Sequence, residues 1–139
     1  MEKDLDLFRK NFKLERPELL SPLALAFVGD AVYEVFTRIL VADMQINPKR
    51  LHRKNIELVS AKSQARIMTF LEERLSPDED RIFKRGRNQK PHTVPKNTDV
   101  TTYRISTGFE ALIGYLYLTY QDERLEEIFE IIKENLHES

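Results

Sequence analysis

Two acidic residues stand where the surface of a helix should be apolar. Asp30 lies within Ala26-Phe27-Val28-Gly29-Asp30-Ala31-Val32, and Glu110 within Gly108-Phe109-Glu110-Ala111-Leu112-Ile113-Gly114. A carboxylate among apolar neighbours is costly to bury unless it is paired, hydrogen-bonded or bound to a cation. Each acid also has a glycine close by, Gly29 before the aspartate and Gly114 after the glutamate. Glycine inside a helix costs about 1 kcal/mol against alanine, which is tolerable where two helices must approach closely. Two helices packed at these glycines would bring Asp30 and Glu110 together as a site for a hard cation such as Mg²⁺. Ion pairing with Arg38 or Arg104 is the plainer use of the same acids, and Glu34, one turn after Asp30, could join the site.

Other chemistries find less support. The chain has no cysteine, which removes thiolate nucleophiles, thiolate metal sites and disulfides. His52, His92 and His137 are scattered, with no pair spaced as metal ligands on one helix face, and are expected at the surface. No glycine-rich phosphate loop is present. The opening Met1-Glu2-Lys3-Asp4 is not that of a signal peptide, and no apolar run approaches the ~20 residues that span a bilayer. A soluble, cytoplasmic protein is expected.

Charge is segregated although the net value is only -1. Residues 81–104 carry seven Lys or Arg (Arg81, Lys84, Arg85, Arg87, Lys90, Lys96, Arg104) against one acid, Asp99. Residues 49–66 carry six against Glu57, while the tail 121–139 holds seven acids against Arg124 and Lys133. Such blocks are often solvated surface, but they also suit a polyanionic partner.

The elements that must position these groups all read as helices. Ser21-Pro22 joins an N-cap to a proline at the first helical position, opening a helix to about Val41. Its apolar residues Leu23, Phe27, Ala31, Val32, Val35, Phe36 and Ile39 are expected to face the core. Asn47-Pro48 opens a second helix carrying Leu51, Ile56 and Leu58, and Ser60 caps a third with Ala65, Met68 and Leu71 inward. Ser76-Pro77-Asp78-Glu79 has the pattern of a capping box. Gly86 and the stretch 87–97 read as a loop, Thr98 or Asp99 caps a long helix to Tyr120, and Asp122 caps an amphipathic last helix. The expectation is one all-α domain over residues 1–139, a helical bundle with its core at about 20–120 and an acidic helix at 122–137.

At the two acidic segments the sequence resembles the ribonuclease III catalytic domain. Residues 22–34, PLALAFVGDAVYE, look like that family's signature, and residues 107–118, TGFEALIGYLYL, like its second motif, in the same order. The resemblance is closer still to the short subfamily called Mini-ribonuclease III, which joins this domain to a basic stretch like KRGRNQKPHTVPKNTDVTTYRISTGFEALIGYLYL, here residues 84–118. That subfamily lacks a double-stranded RNA-binding domain, and here too none is expected after the second motif. Of the family's four acidic ligands two carry over, to Asp30 and Glu110; Ala26 and Thr107 stand at the other two.

The resemblance implies an Mg²⁺-dependent endoribonuclease that hydrolyses double-stranded RNA, with Asp30 and Glu110 as catalytic metal ligands. It also implies a two-fold homodimer, whose interface could draw on Phe27, Tyr33, Phe36 and Phe109. A large-subunit ribosomal RNA precursor is the implied substrate and ribosomal protein L3 a possible helper. Without an auxiliary domain the chain must grip the duplex itself, and Lys84, Arg85, Arg87, Asn88, Lys90, Lys96 and Arg104 are the candidates for phosphate and 2′-hydroxyl contacts. The missing acids invite an alternative, a catalytically inactive RNA-binding or ribosome-associated module on the same fold.

Overall fold

Local capping chemistry starts five of the six α-helices among the described residues. A computed structural model describes residues 9–11, 16–91 and 93–136. Helix α1 spans Pro22–Asp43, with the Ser21 side chain accepting from the backbone N–H of Ala24. Helix α2, Pro48–Val59, is capped by Asn47, and α3, Ala61–Leu71, by Ser60. Helix α4, Pro77–Arg87, opens with a complete capping box between Ser76 and Glu79. Asp99 rather than Thr98 caps α5, Val100–Leu118. Helix α6 spans Asp122–Asn135, and there the sequence reading needs correction. Asp122 is its first helical residue, and Gln121 at the cap position makes no side-chain hydrogen bond. The Asp122 carboxylate is engaged elsewhere, by the Arg9 guanidinium. No strand occurs among the described residues.

Helix α5 is the axis of the bundle. It is apolar nearly all round and buried from Ser106 to Leu118, apart from Glu110 and Tyr117, and α1, α3, α4 and α6 pack against it. It ends in a Schellman pair, Gln121 N–H donating to Leu116 C=O and Tyr120 N–H to Tyr117 C=O. The left-handed residue is Tyr120, with φ 60°, in place of the usual glycine. The Arg9 guanidinium lies over both the Tyr117 and Tyr120 rings and donates to the Tyr117 carbonyl.

Of the residues expected inward on helix α1, only Val32 and Phe36 pack, partly buried, against the core; the fully buried face is another one. The buried row is Leu25, Gly29, Tyr33, Thr37 and Val41, with Ala26 beside it. Leu23, Phe27, Ala31, Val35 and Ile39 form an exposed row, with Phe27 at 82% exposure. The two rows are offset by two residues, about 200° around the helix, so they lie on opposite sides. Periodicity could not choose between two apolar rows of equal spacing. The aromatic residues divide in the same way. Tyr33 meets Phe109 edge-on in the core at 5.0 Å, and Phe36 stacks on Phe129 at 4.3 Å, leaving Phe27 in the open. In α2 the inward positions are Asn55 and Leu58, and Ile56 is exposed. In α3 they are Gln64, Ile67, Met68 and Leu71, with Ala65 at the margin.

Gly86 does not end α4. A Cβ there would lie 2.8 Å from the Cα of Gly108, so this glycine serves a close approach between α4 and α5. Lys84, Arg85 and Arg87 therefore sit on the last turn of α4, and irregular chain begins only at Asn88.

Candidate active site

Helices α1 and α5 meet backbone to backbone. A Cβ on Gly29 would fall 1.7 Å from the carbonyl oxygen of Glu110, and one on Gly114 would fall 2.0 Å from that of Leu25. Only glycine fits at both positions. Asp30 follows the first glycine, and Glu110 precedes the second by one turn, so the contact that excludes every side chain also brings the two carboxylates together. Asp30 is exposed, while Glu110 is partly buried, within hydrogen-bonding reach of it.

The electrostatics of the pair are unfavourable. Burial first, and then the charge of Asp30, push the Glu110 carboxyl up to about 8. No lysine or arginine pairs with either acid among the described residues. Arg38 binds Glu34 on its own helix, which removes both from the site. The Nε of Arg104 is buried without a hydrogen-bond partner, and the residue lines a small cleft with Leu23, Gln89, Tyr103 and Thr107.

Ala26 and Thr107, where the resemblance would put two further acids, offer no carboxylate to a cation. Ala26 is buried, and the Thr107 hydroxyl donates to the backbone carbonyl of Tyr103. Among the described residues no group of three or more potential ligands assembles. Sequence reasoning missed one neighbour. Gln64 of α3 is 1% exposed, and its amide nitrogen donates to Glu110 Oε2 at 3.2 Å.

In sequence the candidate RNA contacts form one basic strip, from the last turn of α4 to the first turns of α5. Lys84, Asn88, Lys90 and Lys96 are exposed, and Arg85 and Arg87 are partly so. Lys84 pairs with Asp80 at 2.8 Å, and Arg87 reaches Asn88 Oδ1 and lies over the Phe83 ring. His52 is exposed, as expected; His92 and His137 lie outside the described residues.

The family pattern described as the Ribonuclease III domain matches residues 23–121, which contain both carboxylates and the whole basic strip. The chain belongs to the ribonuclease III family. Its relatives place it in the Mini-ribonuclease 3 branch. It is 54% identical over 112 residues to the Mini-ribonuclease 3 of Enterococcus faecalis, covering 78% of this chain and 85% of that one. Against the Mini-ribonuclease 3 of a Thermoanaerobacter species it is 44% identical over 135 residues, covering 94% and 95%. The X-ray crystal structure of a protein from Fusobacterium nucleatum superimposes with a TM-score of 0.77 at 32% identity, over 84% of this chain and 93% of that one. As a member of this family the chain is an endoribonuclease with the all-helical ribonuclease III fold. No helix among the described residues is long and apolar enough to cross a membrane.

Proposed function

We propose that the enzyme hydrolyses both strands of an RNA duplex as a two-fold homodimer, with Asp30 and Glu110 holding one Mg²⁺ at each scissile phosphate. The carrying observation is the carboxylate pair itself, two acids forced together by a glycine contact and paired with no lysine or arginine among the described residues. A divalent cation would relieve both the like-charge repulsion and the cost of burying Glu110. Magnesium suits this donor set, because it keeps several waters and takes one or two carboxylates plus substrate phosphate. When bound, it supplies a polarised phosphoryl oxygen and a water of lowered pKa.

The chain's own residues do the rest. Exposed Asp30 presents its carboxylate toward solvent and substrate, and Glu110 offers a second from the helix contact beneath. Lys84, Arg85, Arg87, Asn88, Lys90, Lys96 and Arg104 grip phosphates and 2′-hydroxyls along an A-form groove. The exposed row on α1 from Leu23 to Ile39 is the surface through which two copies would pair, since large apolar patches on a monomer mark interaction sites. The Mini-ribonuclease III resemblance supports a large-subunit ribosomal RNA precursor as natural substrate, with ribosomal protein L3 as a candidate helper, in the cytoplasm.

The test is cleavage of an end-labelled, fully paired RNA of about three helical turns, with and without Mg²⁺, by wild type, Asp30→Asn and Glu110→Gln. Metal-dependent cleavage lost in both variants is expected. Full activity in Asp30→Asn would overturn the site, and salt-sensitive binding without cleavage would make the protein an RNA-binding module. Sedimentation showing only monomer at micromolar concentration would remove the dimer.

A further inference from the structure

We infer that Gln64 is the positioning residue for Glu110, holding its carboxylate in the orientation that the metal requires; this rests on the metal reading of the site given above. Gln64 lies on the core-facing stripe of α3 with Ile67, Met68 and Leu71, where an apolar residue would cost nothing to bury. Its amide nitrogen instead donates twice, to Glu110 Oε2 at 3.2 Å and to the Val59 carbonyl at 3.4 Å. The Val59 carbonyl only accepts, as does Glu110 in the ionised form that would hold a cation, so the reverse orientation of the amide would set its oxygen against two oxygens. The network therefore fixes which end of the amide faces the glutamate.

The choice of a neutral donor matters as much as its geometry. Among the described residues Gln64 makes the one side-chain hydrogen bond to Glu110 from outside the acid pair, and it binds a single carboxylate oxygen. The other oxygen is not bound by Gln64 and would be available to a cation shared with Asp30. A lysine in its place would neutralise the pair and compete with the metal; an apolar residue would leave the carboxylate free to swing. The Val59 bond ties the clamp to the corner between α2 and α3, where Ser60 accepts from Ser63 N–H and donates to the Glu57 carbonyl. Glu110 is thus held by its own helix from behind and by a capped corner from the side. Groups that orient a metal ligand in this way are typically worth ten- to a hundredfold in metal affinity or activity.

The experiment uses Gln64→Met, which keeps length and volume but removes the donor, and Gln64→Asn, which keeps the amide but withdraws it by one methylene. Three quantities are measured on the full chain: the Mg²⁺ midpoint for duplex cleavage, KM for the duplex at saturating Mg²⁺, and the rise in melting temperature on adding Mg²⁺ without RNA. The expected result is a midpoint raised about tenfold or more in both variants. The Mg²⁺-induced melting shift should shrink, while KM and the metal-free melting temperature stay close to wild type. Unaltered midpoints and melting shifts in both variants, beside a magnesium-dependent wild type, would overturn the role of Gln64 alone. So would a fall in metal-free stability or a rise in KM with the midpoint unmoved, since those mark a merely structural glutamine. A wild type whose cleavage and melting both ignore Mg²⁺ would overturn the metal reading and this inference together.

Discussion

Replacing Gly114 by alanine adds one methyl group at the closest approach of α1 and α5, and two effects of opposite sign then compete. As a change in helix propensity alone the substitution should stabilise the protein by about 1 kcal/mol. As a packing change it sets a Cβ 2.0 Å from the Leu25 carbonyl oxygen, 2.9 Å from its carbon and 3.0 Å from the Gly29 nitrogen. All three are backbone atoms, so no side chain can rotate away. Reaching ordinary contact at 3.4 Å requires the helices to part by about 1.4 Å along that line. Overpacking of this kind costs roughly 1–3 kcal/mol, and a rigid backbone neighbour puts it at the upper end. The net expectation is a loss of about 2 kcal/mol, or roughly 4–8 °C in melting temperature for a chain of this size. Activity should suffer more, because Asp30 adjoins Gly29 and moves with it. A misplacement of about 1 Å at a reacting centre can cost on the order of a hundredfold. Thermal melts and single-turnover cleavage in saturating Mg²⁺ measure both effects. A Gly114→Ala protein that melts higher than wild type and cleaves at the wild-type rate would refute the reasoning, for then the glycine would be only a weak helix former.

Two further outcomes follow from the ionisable groups. The raised pKa of Glu110 means that its protonated form is favoured in the fold, so that contribution is complete below about 4.5 and is lost as pH rises through about 8. In EDTA the melting temperature should therefore fall across this range more steeply in wild type than in Glu110→Gln, and equal slopes would count against the burial argument. Burial alone would raise the Glu79 carboxyl, but hydrogen bonds from Arg124 and the Ser76 backbone, with the Arg124 charge, hold it below the usual range. Its contribution is present above the unfolded pKa and lost as pH falls. Removing the Arg124 contacts at 2.8 and 3.0 Å with Arg124→Met should cost about 1.5–3 kcal/mol at neutral pH, read by urea unfolding. It should also move the acid limb of stability to higher pH.

The helix starts were legible because capping is local chemistry: Ser21, Asn47, Ser60, Ser76 and Asp99 each satisfy a backbone N–H within a few residues. The facing of α1 was legible only in part. Close packing at Gly29 and Gly114 was expected, but the apolar periodicity pointed to the opposite row, and the two expectations did not agree. Gly86 was read as a breaker, since its use lies in a contact with Gly108, distant in sequence. Asp30 and Glu110 showed themselves as charges in apolar runs. Gln64 carries no charge to attract notice, yet it stands at the first position of the stripe 64, 67, 68, 71, and a polar residue on a core stripe was the available signal.

The two close helix contacts lie at Gly108, against α4, and at Gly114, against α1. They stand six positions apart along α5, a rise of about 9 Å and a turn of about 240°, so the contacts fall on different sides of one buried rod. The basic turn of α4 and the carboxylates of the α1 contact are thereby registered to a single covalent gauge. The length of sequence between α4 and α5 can vary without disturbing that spacing, because both helices are anchored at their own contacts. One residue inserted between Gly108 and Gly114 would turn one contact about 100° against the other and lose the spacing altogether.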